Sequence, residues 1–182
     1  VLRVTFLGTS AAAPTVRRGL SATMLRIHSD RILVDCGEGT QRQMLRYGTG
    51  LAIDRVLFTH FHADHYLGVV GYLRTLSMHD RTEPVALHGP PPGVSTLLRR
   101  AIHLGFRQTS FPLSYHEAHG GDVIDRGDFL IRAVPVDHRT PALGWVFEEP
   151  PRPGRMDVAR ARSLGVPVGP LLGRLQAGET VA

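Results

Sequence analysis

Apolar positions along the chain follow two rhythms. Val1 to Leu7 alternates as an opening strand does, and Ala22–His28 and Arg31–Asp35, separated by Ser29-Asp30, predict an antiparallel hairpin. Val56-Leu57-Phe58 is an uninterrupted apolar run, which predicts a strand buried on both faces. Further strands are predicted over 84–89, 114–118, 122–125, 128–136 and 142–147, several of them joined by glycine turns. A period near 3.6 instead marks Leu67 to Ser77, through Leu67, Val70, Leu73 and Leu76, and Gly93 to Leu104, with Leu97, Leu98 and Ile102 on one face. A shorter helix is predicted from Gln41 to Arg46, stopped by Gly48. The hairpins exclude a purely parallel sheet, so the pattern predicts an α/β (α+β) fold of two mixed sheets covered by helices.

The rhythm fails from Glu148 onward. Prolines at 150, 151, 153, 167 and 170 leave no strand signal and at most one short helix, from Asp157 to Ser163. The expected division is therefore a folded domain over 1–147 and a basic Pro/Gly-rich arm over 148–182. A length of 182 residues, 42% hydrophobic, suits one such domain plus an arm. No apolar run approaches the ~18–20 residues of a membrane helix and no signal peptide opens the chain, so a soluble cytoplasmic protein is expected. The single cysteine, Cys36, excludes an internal disulfide. The net charge of +5 comes from arginine alone, because the sequence contains no lysine. Arginine suits bidentate phosphate contacts, although arginine, alanine, glycine and proline are enriched together and compositional bias explains the charge equally well.

The chemistry concentrates at Thr59-His60-Phe61-His62-Ala63-Asp64-His65, directly after the apolar run. Histidines at i and i+2 leave a strand end on the same side and can grip one ion. Asp64 and His65 follow where the chain turns and can face a second. Imidazole and carboxylate at this density suit zinc or a similar first-row metal, manganese included, in a dinuclear site. His138, at the end of a late predicted strand, can return to the cluster. Asp35 and Glu38 lie in a tight turn at another strand end, where they either orient metal-bound histidines or serve turn and cap chemistry. His28, His79, His88, His103, His116 and His119 lack such spacing and are assigned structural or surface roles.

These residues carry a resemblance. His60-x-His62-x-Asp64-His65 after a strand resembles the metallo-β-lactamase superfamily, an αββα sandwich with metals at one sheet edge. Phe6-Leu7-Gly8-Thr9-Ser10, Val34 to Gln41, the metal motif, Asp137-His138 followed by Pro141 and Gly144, and the tail Leu164 to Leu171 are together similar to the ribonuclease Z family of tRNA 3′-processing endonucleases. The resemblance implies that His60, His62 and His138 hold one zinc and that Asp64 with His65 holds another. It makes Asp64 the proton acceptor and precursor tRNA the substrate. It implies a homodimer whose arm grips tRNA phosphates, with Arg17, Arg18, Arg152, Arg155 and Arg174 as candidate RNA contacts.

Two departures qualify it. The family adds a bridging aspartate, a last histidine ligand and a Glu/His pair for the leaving group from its second half. Here only Asp157 and Glu179 are acids late enough to consider, and neither follows a strand. The chain is accordingly expected to be the N-terminal half of such an enzyme, with a catalytically incomplete RNA-binding fragment as one alternative and a hydrolase of small phosphodiesters or esters as another. Val16 and Gly19 also stand where the family's Pro-x-Lys-x-Arg-Asn loop has lysine and asparagine, although Arg18 is retained.

Overall fold

The structure is a computed structural model, and it describes residues 2–104, 109–151 and 154–181. Two compact units divide the chain, Val1–Glu148 and Glu149–Ala182.

In the first unit a six-stranded sheet runs in sequence order, β1 (Leu2–Gly8), β2 (Ala22–Ile27), β3 (Asp30–Val34), β4 (Arg55–Leu57), β5 (Val85–Gly89) and β6 (Leu113–Glu117). β1, β2 and β3 are antiparallel neighbours, and β3 to β6 are parallel. A second sheet of β7 (Val123–Asp125), β8 (Leu130–Pro135) and β9 (Leu143–Glu148) is wholly antiparallel, not mixed as the sequence suggests. Its three strands follow one another through short turns, which need no crossover.

The period-2 rhythm becomes two cores. Met24, Leu33, Val56 and Leu87 point to a layer of helices and meet Met44, Val69, Tyr72, Leu73, Leu76, Leu98 and Ile102. Leu25, Ile27, Ile32 and Leu57 point the other way and meet Phe129, just before β8, and Ile131 within it. β4 is buried on both faces for this reason, and a continuous apolar run is the result. On β1, by contrast, Leu2, Val4 and Phe6 share the inter-sheet face and stay exposed.

The helices are α1 (Thr40–Arg46), α2 (Ala63–Tyr66), α3 (Gly68–Met78) and α4 (Arg99–His103), with a π-helical stretch over Gly93–Leu98. The helix expected over 93–104 is thus two pieces. The π turn shifts the register so that Val94, Leu98 and Ile102 are buried and Leu97 is 43% exposed. Likewise Leu67, expected on the buried stripe of α3, caps that helix from outside at 49% exposure, and Val69 and Tyr72 are buried instead.

The second unit holds α5 (Val158–Ser163), capped by the Asp157 carboxylate on the Arg160 N–H at 2.9 Å, and α6 (Pro170–Gln176). α6 is not expected from the sequence, whose prolines allow one short helix at most, yet Pro170 stands at its start. At the first helical position proline loses no hydrogen bond and has the right φ. No helix among the described residues is long and apolar enough to cross a membrane.

Candidate metal centre

The parallel strands β3 and β4 end side by side, and the site is built on the loops that leave them. Asp35 continues β3 in a left-handed conformation (φ 57°), which turns its buried carboxylate beneath the β4 loop. There it accepts hydrogen bonds from the Thr59 N–H at 2.8 Å, the Thr59 hydroxyl at 2.9 Å, the Ser21 hydroxyl at 3.2 Å and His65 Nδ1 at 2.7 Å. The backbone closes the same junction. Cys36 N–H donates to His65 O at 2.7 Å and Gly68 N–H to Cys36 O at 3.0 Å. Gly68 has no alternative here, since a Cβ would lie 1.9 Å from Gly37 O.

This network fixes the imidazoles. With the Thr59 hydroxyl donated to Asp35, His60 Nδ1–H donates to Thr59 Oγ1 at 3.0 Å, which leaves Nε2 as a bare acceptor. His65 gives its Nδ1–H to Asp35 in the same way, and its Nε2 lies 3.6 Å from Asp64 Oδ2. Asp64 is itself held by the Ala12 N–H at 2.8 Å.

His60 Nε2 lies 3.0 Å from His62 Nδ1, which lies 3.4 Å from His138 Nε2. One ligand atom from each of the three falls within 4.8 Å of the others. Two nitrogens bound tetrahedrally at about 2.0–2.1 Å from zinc sit about 3.3 Å apart, so this donor set fits one first-row divalent ion. His138 reaches it because the second sheet is tied to the β4 end: Leu143 N–H donates to Thr59 O at 2.8 Å and Trp145 Nε1–H to Phe58 O at 3.2 Å. The open cleft beside His138, about 490 Å³, is lined by Asp137, Arg139 and Pro90 among others.

Electrostatics favours a cation. Burial, and then the neighbouring imidazoles His65, His62 and His138, push His60 down to about 4, so at neutral pH it is uncharged and its Nε2 lone pair is free to donate. Burial alone would lower His65, but the Asp35 hydrogen bond and the Asp35 and Asp64 charges outweigh it and the pKa is raised. Burial would raise Asp64, yet the Ala12 N–H, its own N–H and the two histidines hold it below the usual carboxylate range.

The remaining sequence-predicted residues fall in other places. Glu38 is exposed and borders a cavity with Arg18, Arg42 and Arg46, rather than a site histidine. Arg17 and Arg18 stand on an exposed loop closed by the Thr15 N–H to Arg18 O bond at 2.9 Å. In the second unit Arg155 is exposed, and Arg174 pairs with Glu179 at 2.7 Å. Arg152 lies outside the described residues. Thr59 opens the motif but carries no role in the sequence pattern; its place directly before the first histidine is the signal for one. The Ala12 amide on Asp64 has no side-chain signal at all.

Comparisons with known proteins agree with this architecture. Residues 30–155 match the model of the beta-lactamase superfamily domain. Ribonuclease Z of Myxococcus xanthus is 57% identical over 181 residues, covering 100% of this chain and 59% of that protein. Ribonuclease Z of Haloferax volcanii is 48% identical, covering 99% and 57%. The crystal structure of human tRNase Z, short form, superposes with a TM-score of 0.72 at 30% identity, over 82% of this chain and 66% of that one. The chain thus spans under three-fifths of the length of these curated relatives. It belongs to the beta-lactamase superfamily and has the metallo-β-lactamase fold.

Proposed function

We propose, for this member of the beta-lactamase superfamily, the chemistry of a zinc-dependent endoribonuclease that removes 3′ trailers from tRNA precursors. The observation that carries the reading is the convergence of His60, His62 and His138 within 4.8 Å, in a chain whose relatives along its whole length are named ribonuclease Z. His60, His62 and His138 would hold one ion, and Asp64 with His65 would contribute to a second. When bound, such ions supply Lewis-acid activation of water and stabilise charge on the phosphate.

The chain's own residues do the rest. Asp35 and Thr59 hold the Nε2 lone pairs of His60 and His65 toward the site. Asp64, kept ionised, accepts the proton that water loses as its oxygen bonds to phosphorus. The phosphodiester P–O bond breaks and the departing oxygen takes up a proton. The basic 148–182 segment, with Arg155 and Arg174, contacts tRNA phosphates as Arg17 and Arg18 do on the first unit. The same reading makes the protein a cytoplasmic homodimer, with manganese as a competent substitute for zinc.

A second reading, an RNA-binding fragment without catalysis, is favoured by one observation: only one three-ligand cluster is found among the described residues. Metal content of this chain, purified without chelator, decides between them together with a precursor-tRNA cleavage assay. About two zinc ions per chain with cleavage upholds the enzyme. One ion with salt-sensitive tRNA binding and no cleavage upholds the fragment, and absence of tRNA binding overturns both.

A further inference from the structure

Beside the metal cluster lies a cavity of a different character. It has a volume of about 190 Å³ and is walled by Phe61, Pro91, Pro92, Leu97, Thr140 and Pro141. It is continuous in sequence with the cluster on two sides. Phe61 stands between the ligand candidates His60 and His62, and Thr140-Pro141 follow His138 by two and three residues. The Phe61 ring has no freedom to leave. It packs against Phe58 at 5.4 Å and Tyr66 at 5.6 Å, and it lies so close over Gly93 that a Cβ there would meet Phe61 Cδ2 at 1.9 Å.

A fixed aromatic ring among proline, leucine and threonine side chains makes a largely apolar site that can take one planar ring by stacking. Unpaired bases of RNA are held in this manner, by stacking on aromatic side chains. We propose that this cavity receives the nucleobase adjoining the scissile phosphodiester, stacked on Phe61, so that the phosphate is set over His62 and His138. The inference rests on the endoribonuclease reading above. Phe61 is here a positioning residue, since it acts on the reacting bond only through the base that it holds.

The test uses a tRNA precursor carrying 2-aminopurine immediately before or after the cleavage point, mixed with zinc-loaded protein by stopped flow so that binding precedes cleavage. Stacking on Phe61 should quench the fluorophore at one of the two positions and leave a 2-aminopurine placed several nucleotides away unchanged. Phe61→Leu should abolish the change. Leu97→Trp, which fills the cavity from a half-exposed position outside the buried core, should abolish it as well. An abasic nucleotide at the responsive position should weaken binding of the unaltered protein roughly tenfold and that of Leu97→Trp by less than about twofold. Tight binding with no fluorescence change at either position, or a change that survives in both variants, would overturn the base pocket and leave the endoribonuclease reading standing. Failure of the unaltered protein to bind the precursor would overturn that reading and the pocket with it.

Discussion

Replacing Asp35 by asparagine isolates the device that orients the site. Asparagine has the same shape and tolerates the left-handed backbone of this position (φ 57°), so the substitution adds no backbone strain. Its oxygen can stay where Oδ1 receives the Thr59 N–H. The amide then takes the place of Oδ2, which receives Ser21, Thr59 and His65. The two hydroxyls can rotate and accept, but His65 Nδ1 can accept only by losing its proton. His65 must therefore change tautomer, and the proton moves to Nε2, the nitrogen that faces Asp64. One charge-assisted bond is lost and two are weakened, for a stability loss of about 2–4 kcal/mol in urea unfolding with chelator present. Zinc affinity at the His65 side should fall about 10- to 100-fold in a calorimetric titration, with the three-histidine cluster still filling.

The pH dependence of Asp35→Asn gives an independent check. His65 has a raised pKa in the fold, so its protonated form stabilises the metal-free protein below about pH 6.5, and this contribution is lost as pH rises through the folded pKa. The variant lacks it, and the stability gap between the two proteins should be wider at pH 6 than at pH 8. Nitrogen NMR reads the tautomer directly. If His65 keeps its Nδ1 proton in the variant and stability changes by less than about 0.5 kcal/mol, the orienting role of Asp35 is wrong.

Other outcomes follow from the same structure. His138→Ala should lower bound zinc by about one ion per chain, whereas His119→Ala, an exposed neighbour in the same cleft, should leave the stoichiometry unchanged. Gly68→Ala, whose Cβ would meet Gly37 O, should destabilise by about 3 kcal/mol or more in urea, while Gly71→Ala on the same helix, with only Gln41 Nε2 at 3.5 Å, should stabilise by about 0.5–1 kcal/mol. Burial first, then His116 and Arg55, push His88 down to about 3, so the folded chain resists protonating it and stability should fall as pH drops from about 6.5 towards 3. His88→Phe removes that liability together with a buried, unpartnered Nε2, and its urea midpoint should decline less between pH 7 and pH 5.

What the sequence disclosed, and what it hid, divides along the range of the interactions. β4 and the motif after it were legible because burial on both faces and side-chain type are written in adjacent residues. The π turn over Gly93–Leu98 was not, since one residue of register slip leaves the apolar count unchanged while moving Leu97 to the surface. In the second unit Pro170 was visible, but its meaning depends on whether a helix starts or continues there. At the site, His60 and His62 could be paired from spacing alone. His138 could be nominated but not placed, because its approach depends on how β9 is tied to the end of β4 across more than eighty residues of chain. Glu38 and Asp35 looked equivalent in one turn, and only the left-handed twist at Asp35 separates the buried carboxylate from the exposed one.

That twist also explains why the site sits where it does. In a sheet with parallel strands, loops that leave the carboxyl ends of neighbouring strands emerge together, and ligands collect there. β3 and β4 are such a pair, with Val34 opposite Leu57, so Asp35, one residue past its strand, meets Thr59, two residues past its own, without any long loop to order. The histidines then inherit their positions from backbone already fixed by the sheet and by the Cys36, His65 and Gly68 hydrogen bonds. Holding the imidazoles in this way before any ion arrives costs little, because burial keeps His60 uncharged and the Asp35 carboxylate supports the proton that His65 holds more tightly than usual. Pre-organisation of this kind predicts that metal binding should be governed by the side-chain donors and should produce little change in backbone amide protection. A large gain in hydrogen-exchange protection of residues 35–37 and 59–68 on adding zinc would show instead that the ion, and not the sheet, builds the site.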